Sequence, residues 1–263
     1  MRTFSISDIL WHKNTFNSQN IHDGFHAIPN LQYNEGSLSV VKDPAGGHGD
    51  VIRIYIKKGH YNGIHDHRGA QFYTKVGSPR DSMTLTYDVY FQKGLDFVKG
   101  GKLPGLYGGD PGCSGGRHSH DCLSTRFMWR PHGDGEMYAY MPADQANGFC
   151  DKKGNDCNDA YGISIGRGSW RFRTGQWDTI SQHIHLNSPG HKDGYAIVWH
   201  NGKKVLDVRN VNFREHSNLK LEGLYFSVFF GGGSSAWAPT ADSHIYFRNF
   251  IISKESHLPH LVG

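Results

Sequence analysis

The stretch SMTLTYDVYF, Ser82 to Phe91, decides the fold. Leu85, Tyr87, Val89 and Phe91 share one parity, and Thr84, Thr86, Asp88 and Tyr90 share the other. A period of two with one apolar face marks an antiparallel strand that covers a core. Upstream, runs of similar character lie at 37–41, 51–58 and 70–76. Downstream they are RFMWR (126–130), EMYAYM (136–141), YGISIG (161–166), WDTISQHIHLN (177–187), YAIVWHNGKKVLDV (195–208), LYFSVFFGG (224–232) and HIYFRNFII (244–252). Asn201-Gly202 is the strongest short hairpin signal, because a type I′ turn needs positive φ at both central residues. Many short strands, with no convincing amphipathic helix, predict an all-β chain. The expected fold is a β-jelly-roll sandwich of two antiparallel sheets with a concave groove. No repeat or linker interrupts residues 1–263, so one domain is expected, with 1–35 as a lead-in loop or short helix.

Composition agrees. Aromatics make up 13% of the 263 residues and there are 34 glycines, which suits strands and turns. No apolar run approaches the roughly 20 residues that cross a bilayer, so no membrane partner is expected. The opening MRTFSISDIL shows no signal-peptide h-region. Net charge is +4 with scattered basic residues, which argues against nucleic acid and fits an anionic ligand. The four cysteines form two close pairs, Cys113/Cys122 and Cys150/Cys157, each around a polar, Gly-containing loop. C-x-x-C spacing is absent, so two local disulfides are expected rather than zinc; four free thiols are the alternative. Disulfides place the chain outside the cytosol, as a secreted protein.

A second stretch carries the chemistry: LSTRFMWRPHGDGEMYAY, 123–140. Ser124, Arg126, Met128 and Arg130 share one face of the first strand, and Glu136, Tyr138 and Tyr140 one face of the second. Phe127, Trp129, Met137 and Ala139 supply the core on the other side. A turn centred on Gly133 would set Arg130 opposite Glu136, Met128 opposite Tyr138 and Arg126 opposite Tyr140. Arg130–Glu136 then reads as an ordinary cross-strand ion pair worth ~0.2–1 kcal/mol. Arg126 beside two tyrosines is less easily explained by a solvated face, which Thr, Lys and Glu would serve. Flat rings, phenol donors and a bidentate guanidinium suit a carboxylate-bearing sugar. A plain amphipathic outer face is the alternative.

That set suits β-elimination on a polyuronate. The C5 proton of a uronic acid is weakly acidic while its carboxylate is ionised. A lyase neutralises the carboxylate, removes the C5 proton and protonates the departing O4. Arg, Gln, Asn or His can do the first; Tyr or Lys can do the second if its pKa is pulled down. Neutral Tyr can serve as the acid. No cofactor or metal is needed.

The chain resembles polysaccharide lyase family 14, the alginate lyases of molluscs and Chlorella viruses. The stretches that carry the likeness are YDVYFQKGLDFVKGGKLPGLYGG (87–109), STRFMWRPHGDGEMYAY (124–140), VWHNGKKVLD (198–207) and LYFSVFFGGGSSAWAPTADSHIYFRNF (224–250). The resemblance implies a jelly roll, lyase activity on alginate, and functional residues at Lys102 in the GGKLPG loop, Ser124, Arg126, Tyr138 and Tyr140. In these expectations Tyr140 transfers protons as base and acid, with Lys102 as the rival base. Arg126 grips the carboxylate, while Ser124 and Tyr138 bond or stack the sugar. Gln71 is a further candidate for neutralising the carboxylate. His183 and His185 stand where relatives more often carry Arg or Lys, so His185 is expected to touch substrate. The partner is an anionic polysaccharide and the protein is expected to be a monomer.

Rivals are weaker. Three H-x-H pairs, His65/His67, His118/His120 and His183/His185, are close to what 18 histidines produce by composition. H-E-x-x-H is absent, and the two G-x-S-x-G matches, GCSGG (112–116) between paired cysteines and GISIG (162–166) in an alternating strand-like run, do not read as strand-to-helix elbows. A sandwich hydrolase would supply paired carboxyls from one strand as E-x-D-x-x-E, which is missing. A non-catalytic acidic-polysaccharide-binding module would need the aromatics but not Lys102. Mannuronate and glucuronate share the relative placement of the C5 hydrogen and O4, so a glucuronan lyase is the nearest alternative; guluronate needs a base on the other face.

Overall fold

The computed structural model describes residues 8–113, 120–158 and 160–254. In chain order its strands are β1 (Ile9–Lys13), β2 (Leu38–Lys42), β3 (Asp50–Ile56), β4 (Gly69–Arg80), β5 (Ser82–Phe91), β6 (Gly101–Gly109), β7 (Cys122–Trp129) and β8 (Asp134–Tyr140). There follow β9 (Asp156–Asn158), β10 (Gly162–Arg171), β11 (Trp177–His185), β12 (Gly194–His200), β13 (Lys203–Val211), β14 (Leu221–Phe230) and β15 (Ser243–Ser253). They form two antiparallel sheets. The back sheet runs β13-β12-β11-β5-β15-β3-β2, with β1 also on β15; the front sheet runs β4-β14-β6-β7-β8-β10-β9. This pair of packed antiparallel sheets is the expected jelly roll.

β5 behaves as its alternation predicts on one side: Leu85, Tyr87, Val89 and Phe91 enter the core between the sheets. Its other parity is buried as well, because β5 is central, between β11 and β15. The polar side chains there are satisfied across strands. Thr86 meets Ser181 at 2.7 Å, and the Asp88 carboxylate accepts from Thr179, Arg248 and Asn249 at 2.7, 3.1 and 2.8 Å. Asn201 and Gly202 close the β12–β13 hairpin with φ of 50° and 78°.

Three expectations are corrected. GGKLPG is the start of strand β6 rather than a loop; Pro104, which has no N–H to donate, sits at a register shift between Leu103 and Gly105. The β7–β8 turn is centred one residue earlier, so Arg126 lies opposite Tyr138 and Met128 opposite Glu136. His132 and Gly133 both take left-handed φ, 64° and 81°, and Arg130 N–H donates to Asp134 O at 2.7 Å to close it. The change of pairing is by two residues, so every side chain keeps its face. Finally, the lead-in contains strand β1, which pairs with β15, and the short helix Ile21–Gly24. It also closes the β4 edge: Ile28 N–H donates to Tyr73 O (2.8 Å), and Tyr33 and Gln71 exchange both backbone bonds (2.9 and 2.8 Å).

The expected disulfides, Cys113–Cys122 and Cys150–Cys157, are both formed. Among the described residues no helix is long and apolar enough to cross a membrane.

Candidate active site

The outer face of the front sheet is built by parity. β7 offers Ser124, Arg126 and Met128, and β8 offers Glu136, Tyr138 and Tyr140, because their alternate positions are needed in the core. β6 adds Lys102, which pairs with Met128, and β14 adds Tyr225 and Ser227. Opposite Arg126, β6 carries Gly105. A Cβ there would come within 2.4 Å of Arg126 Cα, so only glycine fits.

The Arg126 side chain is 1% exposed and reaches β14. It donates to Ser227 Oγ at 3.1 Å and to the Tyr225 hydroxyl at 3.4 Å, with its guanidinium 4.6 Å from the Tyr225 ring. It has no carboxylate partner among the described residues. The Tyr225 hydroxyl in turn donates to Gln71 Oε1 at 2.9 Å. That bond occupies the amide oxygen and leaves the Gln71 NH2 as a donor beside a buried cation. The pair is equipped to hold a carboxylate.

Lys102 lies on the same floor, 8% exposed. Its amine stands 3.5 Å from the centre of the Tyr138 ring and donates to Met128 Sδ at 2.6 Å. Burial, with the Arg126 and Arg130 cations nearby, pushes its pKa well below that of an ordinary lysine; only Glu136 opposes the shift. Tyr138 moves the other way: burial, reinforced by Tyr140, raises its phenol and keeps it neutral. The Tyr138 and Tyr140 rings are 5.7 Å apart and nearly perpendicular, and the Tyr140 ring is 5.6 Å from the Arg126 guanidinium. Lys102, Tyr138, Tyr140 and Arg126 thus form one contiguous set.

Glu136 is fully buried, not the ordinary surface partner its spacing suggests. Its carboxylate is shared by Arg130 (2.7 Å) and Arg167 (2.6 Å) and accepts from Ser164 (3.1 Å). Among the described residues no three His, Cys, Asp or Glu side chains gather to hold a metal ion.

The family profile described as polysaccharide lyase 14 matches residues 44–250. The chain belongs to polysaccharide lyase family 14. It is similar to the family 14 alginate lyase of Aplysia kurodai, which is 35% identical, with 94% of this chain and 99% of that one covered and a TM-score of 0.86. The alginate lyase of a Chlorella virus has the same fold: 24% identity, 84% of this chain and 90% of that one, TM-score 0.70. Exolysin of Paramecium bursaria Chlorella virus 1 is 25% identical over 224 residues, 76% of this chain and 34% of that protein. The chain therefore spans about a third of the length of that curated relative.

Within this family 14 fold, the front sheet brings together Lys102, Arg126, Tyr138, Tyr140 and Gln71. Ser124 is on the same face but fully buried, and its hydroxyl donates to the Cys113 carbonyl at 3.2 Å, so it anchors the disulfide loop. His185 is not brought to the site. It lies on β11 in the back sheet, on the parity opposite the core residues Ile180 and Ile184, stacked on Tyr195 at 4.9 Å. Parity places a residue on one face of its own sheet; it does not say which sheet. Of the H-x-H pairs, His118 is outside the described residues. Met128, Tyr225 and Ser227 were given no role from sequence. The alternation of Tyr225, Ser227 and Phe229 was the available signal.

Proposed function

We propose that this lyase cleaves the 1,4-glycosidic bonds of alginate, in its polymannuronate stretches, by β-elimination. The observation that carries this reading is the Lys102 amine, buried against Tyr138 and Met128, near two arginines, and without an ion-pair partner among the described residues. Such an amine sheds its proton far more readily than a solvated lysine and can accept one from carbon. Arg126 and Gln71 hold the uronate carboxylate and take up the charge that develops as C5 loses its proton. Lys102 accepts the C5 proton and becomes an ammonium. The C5–H electron pair forms the C4=C5 double bond, the C4–O4 bond breaks, and Tyr140 gives its hydroxyl proton to O4. The ammonium then returns a proton to Tyr140 through solvent, and the site is reset. The base role thus moves to Lys102, while Tyr140 keeps that of acid. Likeness to the Aplysia kurodai enzyme supports alginate as the polymer.

The test is a panel of polymannuronate, polyguluronate and glucuronan, followed by the ultraviolet absorbance of the new double bond. Polymannuronate is expected to be the best substrate. Lys102→Ala is expected to lower kcat by about 10²–10⁴ and to remove the acid limb of the kcat/KM profile, which Tyr140→Phe retains. An acid limb that persists in Lys102→Ala would remove Lys102 from the base role. Reducing ends without absorbance would mean hydrolysis, and binding with neither would mean a non-catalytic module.

A further inference from the structure

The family profile begins at residue 44, yet a segment before it pairs with the strand that carries Gln71. Tyr33 and Gln71 are directly opposed and exchange both backbone hydrogen bonds (2.9 and 2.8 Å). Residues opposed in this way point to the same side of a sheet. Gln71 faces the active site, since its amide oxygen accepts from Tyr225. Tyr33 therefore faces it too, one strand further out. Burial raises the Tyr33 phenol above its ordinary value, and Arg68, Tyr225 and Arg126 are close enough to act on it. The Arg126 head group rests on β14, so about two strand spacings, about 10 Å, separate it from the Tyr33 segment.

A built wall backs this tyrosine. The Arg68 guanidinium lies 4.4 Å from the centre of the Tyr33 ring. Arg68 is fixed by donation to the Asn62 carbonyl (2.7 Å) and by an ion pair with Glu35 (3.1 Å). Glu35 also accepts from the Asp66 N–H (3.0 Å) and meets His65 (3.2 Å). The Tyr33 hydroxyl makes no hydrogen bond to any described residue, and it is not among the buried unpartnered atoms. It is an unpaired phenol on a braced, half-buried ring, on the floor that carries Gln71 and Arg126.

We infer that Tyr33, braced by Arg68, forms a further subsite that binds a uronate of the same anionic chain, beyond the sugar held by Arg126 and Gln71. The inference rests on the polyuronate reading above. The ring offers a flat edge and the hydroxyl a donor to a sugar oxygen or carboxylate. Glu35 answers most of the Arg68 charge, so recognition here is by hydrogen bond and ring contact more than by net charge.

The test measures binding in Lys102→Ala protein, so that turnover does not consume the ligand. Mannuronate oligomers of increasing length and polymannuronate are titrated calorimetrically. With Tyr33 present, affinity is expected to step up when the oligomer becomes long enough to reach it. Tyr33→Ala is expected to erase that step and weaken polymer binding about fivefold to tenfold, the worth of a hydrogen bond and its ring contact. Tyr33→Phe keeps the ring and the backbone pairing and is expected to lose part of the step. If Tyr33→Ala does not fold, Tyr33→Phe and Arg68→Gln carry the test. An unaltered step in the folded variants, or an equal loss for the shortest and longest chains, overturns the subsite. Absence of unsaturated product from the unaltered enzyme would sink the lyase reading and leave this binding result standing on its own.

Discussion

A lysine amine buried without a counter-charge destabilises the native state wherever it is protonated. Lys102 is in this position. Its folded pKa is depressed, so in the window between that value and the ordinary lysine value the unfolded chain binds more protons, and stability rises with pH. The penalty is full below the depressed pKa and fades as pH climbs toward the ordinary one. Lys102→Met is therefore expected to raise the thermal midpoint while it abolishes turnover. Thermal scans across pH should show the gain largest at the acid end and shrinking as pH rises. A variant equally stable at every pH would mean that the amine is not desolvated. The same burial that would equip Lys102 for the proposed base role is a standing load on the fold.

At the scale of the element, β7 carries the site because both of its ends are pinned. Ser124 ties it to the Cys113–Cys122 loop, and the Arg130–Glu136–Arg167 cluster fixes its junction with β8 and β10. The disulfide spans nine residues of sequence, so replacing both cysteines with serine is expected to cost about 2–3 kcal/mol of stability. Denaturant unfolding checks this. The loss should also raise KM, because the Ser124 anchor sits two residues from Arg126. How much of this was legible differs strand by strand. β5, β7 and β8 were readable because strict alternation survives where one face must be core. β6 was not, because Pro104 and its glycines read as a loop. Yet Gly105 is the position whose missing side chain lets β6 lie against the β7 backbone at Thr125 and Arg126. Tyr33 was silent for another reason: two isolated bridges leave no periodic pattern. His185 was misplaced because period two cannot distinguish one sheet from the other.

Across the whole molecule, the proposed site lies on the front sheet, and the back sheet is given over to packing. On the back sheet Thr86–Ser181 and the Asp88 cluster pair across strands, and the front sheet keeps Arg126 without a carboxylate among the described residues. With a net charge of +4 and this cation on the front sheet, the rate of polymer capture is expected to fall as ionic strength rises, with kcat little changed. Steady-state rates at several salt concentrations read this directly. The lead-in has a second duty besides presenting Tyr33. By pairing with Tyr73 and Gln71 it occupies the free hydrogen-bonding side of β4. A chain trimmed to start at residue 44, where the family profile starts, would bare that row of amides and carbonyls. Unpaired strand margins recruit other chains, so the trimmed protein should self-associate with a rise in light scattering, and a shortened version meant to isolate the catalytic core would be lost to aggregation before its activity could be measured.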